Sequence, residues 1–327
     1  MTFQALLLNN QPVFSARVAD LDEAALPEGE VLIRVSHSTL NYKDALAIGN
    51  TSPIVRAWPM VAGIDAAGVV ESSSSPDFSP GDAVVVNGWG QGETRWGGLA
   101  QYVRVPAAWP VKLPAPYGPF EAAAVGTAGY TAAMCVQALE MHGLKPEDGP
   151  ILVTGATGGV GSVTVLLLAR AGFQVWAVTG KEEDAEYLKG LGAAEVLPRA
   201  EFAVPGKPLQ KERLAGVVDA LGSHALANAC AQVRRNGAVA ACGLAMGMDF
   251  PASVAPFILR GVTLYGIDSV YASRARREAA WALLAARITP ADLAGIGKVI
   301  GLSETVAAAA NILAGRVTGR YVVDVNR

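Results

Sequence analysis

Residues 151–172 read ILVTGATGGVGSVTVLLLARAG. An apolar run of strand character passes through a glycine-rich turn into a long apolar run of helical character. Gly158 and Gly161 let the backbone turn tightly and approach a pyrophosphate, whose charge then rests on the amino end of the following helix. Ala156 replaces the first glycine of the usual G-x-G-x-x-G pattern, but the context is complete, with a strand before, a helix after and a second apolar run, QVWAVTGK, beyond. Chains that prefer NAD place an acidic residue about 20 positions past the glycines to hold the ribose 2′-hydroxyl. Here the second run ends in Thr179, Gly180 and Lys181, which implies a dinucleotide site with a cation for the 2′-phosphate of NADP, and with it redox chemistry. The alternative for Lys181 is a solvated residue ahead of a helix opened by Glu182 and Glu183. Arg199, after the next strand-like run, either stacks on adenine, adds charge to the site, or is a surface arginine.

Outward from this motif the chain changes character twice. Up to Gly118 it is strand-rich and punctuated by proline and glycine: VLIRVSHSTL alternates as a half-buried strand, GVVESSSSPDFSPGDAVVVNG holds two strand-like ends around a turn, and LAQYVRVP follows. This pattern fits a small β-barrel or sandwich-like domain. After Pro119, FEAAAVGTAGYTAAMCVQALEMHG has helical spacing and ends at Gly143. Strand and helix then alternate through QVWAVTG, EEDAEYLKGLG, AEVLP, GVVDAL, ANACAQVRR, AVAACG and VTLYGID, as in a doubly wound parallel sheet. A last helix, AAAANILAG, and a closing strand, GRYVVDVN, return to the β-rich character of the start. The expected organisation is therefore an α/β protein with a β-rich catalytic domain from residues 1–120 and 270–327 and a cofactor domain inserted at 121–269.

Composition narrows the class. With 327 residues, 51% of them hydrophobic and 17% charged, two buried cores are affordable, and a net charge of −3 makes no electrostatic case for nucleic acid or an anionic membrane. VTVLLLARAG is too short for a membrane span and is interrupted by Arg170. Three dispersed cysteines (Cys135, Cys230, Cys242) and three dispersed histidines (His37, His142, His224) form no metal-ligand spacing, so no metal is expected, and a reduced, cytoplasmic setting fits.

Without a metal, a hydride enzyme needs hydrogen-bond donors and a proton source. Tyr42, in TLNYKD, is the candidate acid, against the alternative of an amphipathic packing tyrosine. Beside it Lys43 reads as a solvated charge and Asp44 as a helix-start residue. Trp89 and Trp96, in the glycine-rich run NGWGQGETRWGGLAQY, either line a substrate pocket or close the β-domain core. Thr127, in GTAGYTA, is either a donor to the nicotinamide ribose or a helix cap.

Together LNYKDALAI, PMVAGIDAAGVV, GWGQGETRWGGLAQY, GTAGYTA, VTGATGGVGS, AEYLKGLGAAEVLPR, AVAACGLA, PFILRGVTLYGIDSV and GRYVVDVN resemble, in order and over essentially the whole chain, the medium-chain dehydrogenase/reductase superfamily. The resemblance is to its zinc-independent acryloyl-CoA reductase branch among the quinone oxidoreductase-like proteins. It implies a GroES-like β-rich domain plus a Rossmann domain, and NADPH as cofactor. The implied activity is reduction of the carbon–carbon double bond of acryloyl-CoA to propanoyl-CoA, with a quinone or other enone as the alternative substrate and a non-catalytic NADPH-binding protein as a third reading. It also implies a homodimer paired through VTLYGID. By the same resemblance the cofactor contacts are Tyr42, Thr127, Thr157, Gly158, Gly159, Val160, Gly161, Thr179, Gly180, Lys181 and Arg199, with Leu244, Ile258, Ser269 and Asn326 around the nicotinamide or its ribose. Zinc members carry a histidine-glutamate pair where this chain reads Ile64-Asp65 after Gly63. The chain departs from the branch at Thr94 and Arg95, where asparagine and histidine are expected.

Overall fold

The structure, a computed structural model, describes residues 2–327. Two compact units are present: one comprises the chain up to Thr127 with Ser269–Ala285 and Thr289–Arg327, the other Ala128–Asp268 with Ala286–Ile288.

The first unit contains β1 (Thr2–Asn9), β2 (Ser15–Asp22), β3 (Val31–Leu40), α1 (Tyr42–Ile48), β4 (Met60–Val61), β5 (Asp65–Ser73), β6 (Ala83–Asn87), β7 (Tyr102–Val105), β8 (Val111–Lys112) and the start of α2 (Pro119–His142). Strand β3 is its organiser. Its β-branched run is buried on both faces over most of its length, and it pairs antiparallel with β5 and β7. The gene-order end of the chain returns to the same sheet, as described below for the last strand. β1 and β2 form an antiparallel hairpin and, with β4, a separate three-stranded sheet. Leu6, Leu8, Ile33, Met60, Val86 and Leu99 are fully or almost fully buried in the core of this unit.

The second unit carries β9 (Ile151–Val153), α3 (Gly159–Arg170), β10 (Val175–Thr179), α4 (Ala185–Gly190), β11 (Glu195–Pro198), β12 (Leu214–Asp219), α5 (Ser223–Gln232), β13 (Val233–Ala241), α6 (Ala255–Arg260) and β14 (Thr263–Gly266). All strand pairs are parallel and the order is β11-β10-β9-β12-β13-β14. This is the doubly wound order, with its switch point between β9 and β12, where such sheets take ligands at their carboxyl ends. Helix α3 is buried from Gly161 to Leu168, which explains an apolar composition without a polar face.

The chain then re-enters the first unit with α7 (Arg274–Arg287), α8 (Pro290–Ala294), β15 (Gly297–Gly301), α9 (Thr305–Leu313) and β16 (Arg320–Asp324). β16 lies between β15 and β3 in a seven-stranded sheet. The unit division falls inside α2, later than the start of that helix, at which the sequence pattern suggests a boundary. The helix is not continuous there: Gly126 has φ 50° and ψ −167° and breaks it. By length and composition α2 would pass for a membrane span, yet 83% of its most apolar window is buried within the structure, the state of a core helix.

Candidate functional site

Strand β9 delivers the chain into the glycine turn. Gly155 takes φ +60°, a left-handed conformation in which glycine is at ease. Gly158 is the extended N-cap of α3, and a Cβ there would meet only the Gly155 carbonyl oxygen, at 3.3 Å. Gly158, Gly159 and Val160 are part-exposed at the positive end of α3, so their backbone is open to an anion. Gly161 also has a packing task. A Cβ on it would lie 2.3 Å from the Gly155 oxygen and 2.5 Å from Ala156 Cα, so this glycine lets α3 close on the turn.

Strand β10 ends beside this turn. The hydroxyls of Thr157 and Thr179 are 3.3 Å apart, and the Lys181 amide donates to Thr179 Oγ1 at 3.0 Å. Arg199 lies over the neighbouring glycine: a Cβ on Gly180 would be 2.7 Å from the guanidinium carbon. Thr157, Thr179, Gly180 and Arg199 are thus brought together, with the Lys181 backbone tied to the same threonine. At the switch point Thr154 Oγ1 donates to Asp219 Oδ1 at 2.7 Å and the Gly222 amide to Asp219 Oδ2 at 2.7 Å. Burial pushes the Asp219 carboxyl up to about 6. The glycine positions, the anion-facing helix end and the Arg199 guanidinium over Gly180 fit a dinucleotide that carries an extra phosphate.

In the other unit the chemistry gathers around Asp65, at the start of β5. Its Oδ1 accepts from Asn87 Nδ2 (2.7 Å) and Thr127 Oγ1 (2.5 Å). Its Oδ2 accepts from Thr39 Oγ1 (2.5 Å), Asn41 Nδ2 (2.8 Å) and the Thr127 amide (2.9 Å). The Arg320 guanidinium, on β16, stands 4.0 Å from Oδ2, and both side chains are buried. Arg320 Nη2 donates to Asn41 Oδ1 at 3.2 Å. Five donors use the lone pairs of a carboxylate that occupies the place of a metal-binding family motif. Among the described residues, no group of three or more His, Cys, Asp or Glu side chains is placed to hold a metal ion.

Gly126 makes this cluster possible. A Cβ at that position would sit 2.5 Å from Arg320 Nη2 and 2.9 Å from Asp65 Oδ2, and its left-handed φ turns the Thr127 N–H onto the carboxylate. Thr127 is therefore neither a free ribose donor nor an ordinary helix cap in this structure, because Asp65 holds its amide and its hydroxyl.

Tyr42 is the first residue of α1 and is 42% exposed, so it does not serve as a buried packing tyrosine. Its helix start is fixed from behind. Asp44 is buried and accepts from the Asn41 amide (2.8 Å) and the Ile64 amide (3.0 Å). Burial, with the Asp65 charge adding to it, pushes the Asp44 carboxyl up to about 7 against these hydrogen bonds. Burial lowers the pKa of Arg320, while Asp65 and Asp44 oppose that shift. Lys43, expected as a solvated charge, is instead ion-paired with Glu93.

The glycine-tryptophan run closes the core. Trp89 stacks on Trp109 with ring centroids 5.8 Å apart and planes 2° from parallel, and Trp96 packs against the same core and donates Nε1 to the Pro59 carbonyl at 3.2 Å. Arg277, buried in α7, lies 4.4 Å from the Trp89 ring and donates to the carbonyls of Asn87, Val270 and Ala272 at 2.5–2.9 Å. Arg95 is exposed on this loop. Of the other expected contacts, Ser269 accepts from Arg277 Nη2 at 3.3 Å and Asn326 accepts from Gln101 Nε2 at 3.2 Å, both in the first unit. Leu244 (48% exposed) and Ile258 (72% exposed) belong to the second unit. His142, at the end of α2, pairs with Tyr265 Oη (3.0 Å) and the Asn236 carbonyl (3.1 Å).

The reading of the residues missed Asp65, Asn41, Asn87 and Arg320 as site-forming groups. Their signal was the presence of an acid and a cation inside otherwise apolar strands, in PMVAGIDAAGVV and GRYVVDVN.

Comparison with known proteins follows the same division. The alcohol dehydrogenase GroES-like domain matches residues 27–115 and the zinc-binding dehydrogenase domain matches residues 159–286. The chain is 49% identical to a probable acrylyl-CoA reductase, AcuI, of Escherichia coli over 99% of its own length and 100% of that protein's. It is 49% identical to the acrylyl-CoA reductase AcuI of Ruegeria pomeroyi, over 95% of this chain and 94% of that one. The crystal structure of E. coli YhdH with bound NADPH superposes with a TM-score of 0.97 at 49% identity, covering 99% of this chain and 100% of that one.

Proposed function

The chain belongs to the quinone oxidoreductase-like branch of the medium-chain dehydrogenase/reductase superfamily, and from that premise we propose that it reduces the carbon–carbon double bond of acryloyl-CoA to propanoyl-CoA with NADPH. The observation that carries this reading is near-half identity, end to end, with relatives named for that reaction. The Arg199 guanidinium over Gly180, with Lys181 next in the chain, supports NADPH as the cofactor. Gly158, Gly159 and Val160 would receive the pyrophosphate on their backbone, and Thr157, Thr179, Gly180, Lys181 and Arg199 would hold the adenosine end with its 2′-phosphate. Bound there, the reduced cofactor supplies hydride to the carbon β to the thioester.

The chain's own residues supply the proton and its control. Hydride addition leaves negative charge on the thioester enolate, and the α-carbon then needs a proton. Tyr42 is part-exposed, at a helix start clamped from behind, and in this reading its hydroxyl donates that proton, with water restoring it. The net change is one hydride and one proton added across the double bond.

The same reading includes a cytoplasmic setting, in keeping with three cysteines all free of disulfides, and a homodimer. β14 is the edge strand of the parallel sheet, and Val254, Ile258 and Leu259 on the adjoining segment expose apolar surface. Sedimentation at a single-chain mass would remove the dimer from this reading.

The decisive assay runs NADPH oxidation with acryloyl-CoA, crotonyl-CoA and a benzoquinone in parallel. The highest kcat/KM is expected with acryloyl-CoA. Equal or higher specificity for the quinone would replace the CoA assignment, and oxidation with none of the three would leave a cofactor-binding protein.

A further inference from the structure

We propose that Asp65 is a positioning residue for the reduction: through one buried carboxylate it sets both the helix start that presents Tyr42 and the backbone and hydroxyl of Thr127. The proposal rests on the reading above that Tyr42 serves the reaction.

The geometry gives Asp65 this role rather than a merely cohesive one. Its two oxygens accept five hydrogen bonds, and three of them come from Asn41, which precedes Tyr42, and from Thr127 at the break in α2. Asn41 immediately precedes Tyr42, and its side chain is held at both ends: Nδ2 donates to Asp65 at 2.8 Å, and Oδ1 accepts from Arg320 Nη2 at 3.2 Å. The residue that leads into α1 therefore cannot rotate without breaking a charge-assisted bond on either side. Thr127 is grasped by its amide and its hydroxyl, which fixes the backbone at the break in α2 as well as the side chain.

Positions 42 and 127 are far apart in sequence and on different helices, and Asp65 is bonded both to Asn41, next to Tyr42, and to Thr127. Arg320 supplies the opposite charge in the same buried space. An amide in its place would offer one accepting oxygen and turn an NH2 toward at least two donors.

The test compares Asp65→Asn with Tyr117→Phe. Tyr117 donates to the Leu284 carbonyl at 2.9 Å in the same unit, so its variant costs stability without touching the cluster. The readings are thermal unfolding, NADPH affinity by fluorescence without any acceptor, and the deuterium isotope effect on kcat with NADPH labelled at the transferred position. In folded Asp65→Asn, kcat falls roughly 10- to 100-fold, the scale of losing a hydrogen bond to a charged group, and NADPH binds more weakly. The isotope effect rises as hydride transfer becomes rate-limiting, while the ratio of NADPH to NADH affinity stays at the wild-type value, because the 2′-phosphate groups are untouched. Tyr117→Phe lowers the unfolding temperature and leaves kcat, the isotope effect and NADPH affinity unchanged.

If Asp65→Asn does not fold, Asn87→Ala removes one donor from Oδ1 and shows the same signature at smaller amplitude. A folded variant of either kind with wild-type kcat, isotope effect and NADPH affinity overturns the proposal. Because NADPH affinity is read without acceptor, a wild-type enzyme that fails to reduce acryloyl-CoA counts against the substrate assignment alone.

Discussion

The glycine turn after β9 and the Asp65 cluster both hold polar groups in fixed places, but they are made from opposite materials. The turn uses backbone from one contiguous run, Gly155 to Gly161, and its specificity is steric: which Cα atoms leave room. The cluster uses side chains from positions 39, 41, 65, 87, 127 and 320, and its specificity is a matching of five donors to one carboxylate. A backbone cradle tolerates changes in the side chains around it but not the wrong Cβ. A side-chain cluster tolerates a crowded backbone only at Gly126 and fails through a single changed oxygen. Substitutions that separate packing from ligand approach, or charge from shape, therefore sharpen the contrast.

The largest effect is expected from Gly161→Ala. The added Cβ meets backbone atoms at 2.3 and 2.5 Å, which cannot move aside as a flexible side chain would. Overpacking of this kind costs about 1–3 kcal/mol and more where the backbone itself is the obstacle, so thermal unfolding drops and NADPH binding goes with it. Gly158→Ala is the matched control. Its Cβ faces only one oxygen at 3.3 Å, so the fold survives, while a ligand approaching the end of α3 meets the methyl group. Equal melting losses in the two variants would break the division between the packing glycine and the ligand-facing glycine.

The next effect belongs to the other region and concerns charge. Asp44 stays neutral up to about 7 in the folded chain, against an ordinary value of 3.8. The folded state then holds the proton more tightly than the unfolded one, so the contribution is fully present below pH 4 and is lost as pH rises to 7. The rise from 3.8 to about 7 sets the pH window over which this contribution is lost. The groups facing Asp44 are Asp65, Arg320 and the Asn41 and Ile64 amides. Asp219, pushed to about 6, has the same sign but is common to both proteins. Asp44→Asn loses acceptor capacity at every pH, yet its stability relative to wild type should improve between pH 4 and 8. Parallel stability curves for the two proteins over that range would place the Asp44 carboxyl outside this account.

These two regions were unequally legible in the sequence, for a physical reason. A turn that contacts a ligand through backbone must be written in glycines at fixed spacing, next to a strand and a helix of recognisable period, and residues 151–181 carry all of it. The parallel order of the second sheet follows from the same alternation. The cluster has no such local grammar. Thr39, Asn41, Asn87 and Thr127 are common polar residues, and only the fold brings β3, β5, β6, β16 and the break in α2 to one point. Even within the turn, the backbone adds a packing task, since Gly161 lets α3 close on Gly155 and Ala156. Trp89 and Trp96 were open between pocket and core because aromatic composition serves either, and stacking on Trp109 together with the Arg277 cation decided for the core.

The smallest effect tests the one part of the turn's site that is made of side chains. Lys181 follows Gly180 at the end of β10, and Arg199 reaches Gly180 from the segment after β11. Losing one of two cations leaves the other to meet the 2′-phosphate, so Lys181→Ala should weaken NADPH about 10-fold and leave NADH affinity unchanged. Adding Arg199→Ala should bring the two cofactors close to parity, because the backbone contacts at the end of α3 are common to both. The losses should be less than additive if both cations meet the same phosphate, since the survivor adjusts toward it. Strict additivity would separate them into independent contacts, with Arg199 on the adenine. An unchanged preference in Lys181→Ala would assign the discrimination to Arg199, the residue whose guanidinium already occupies the space above Gly180.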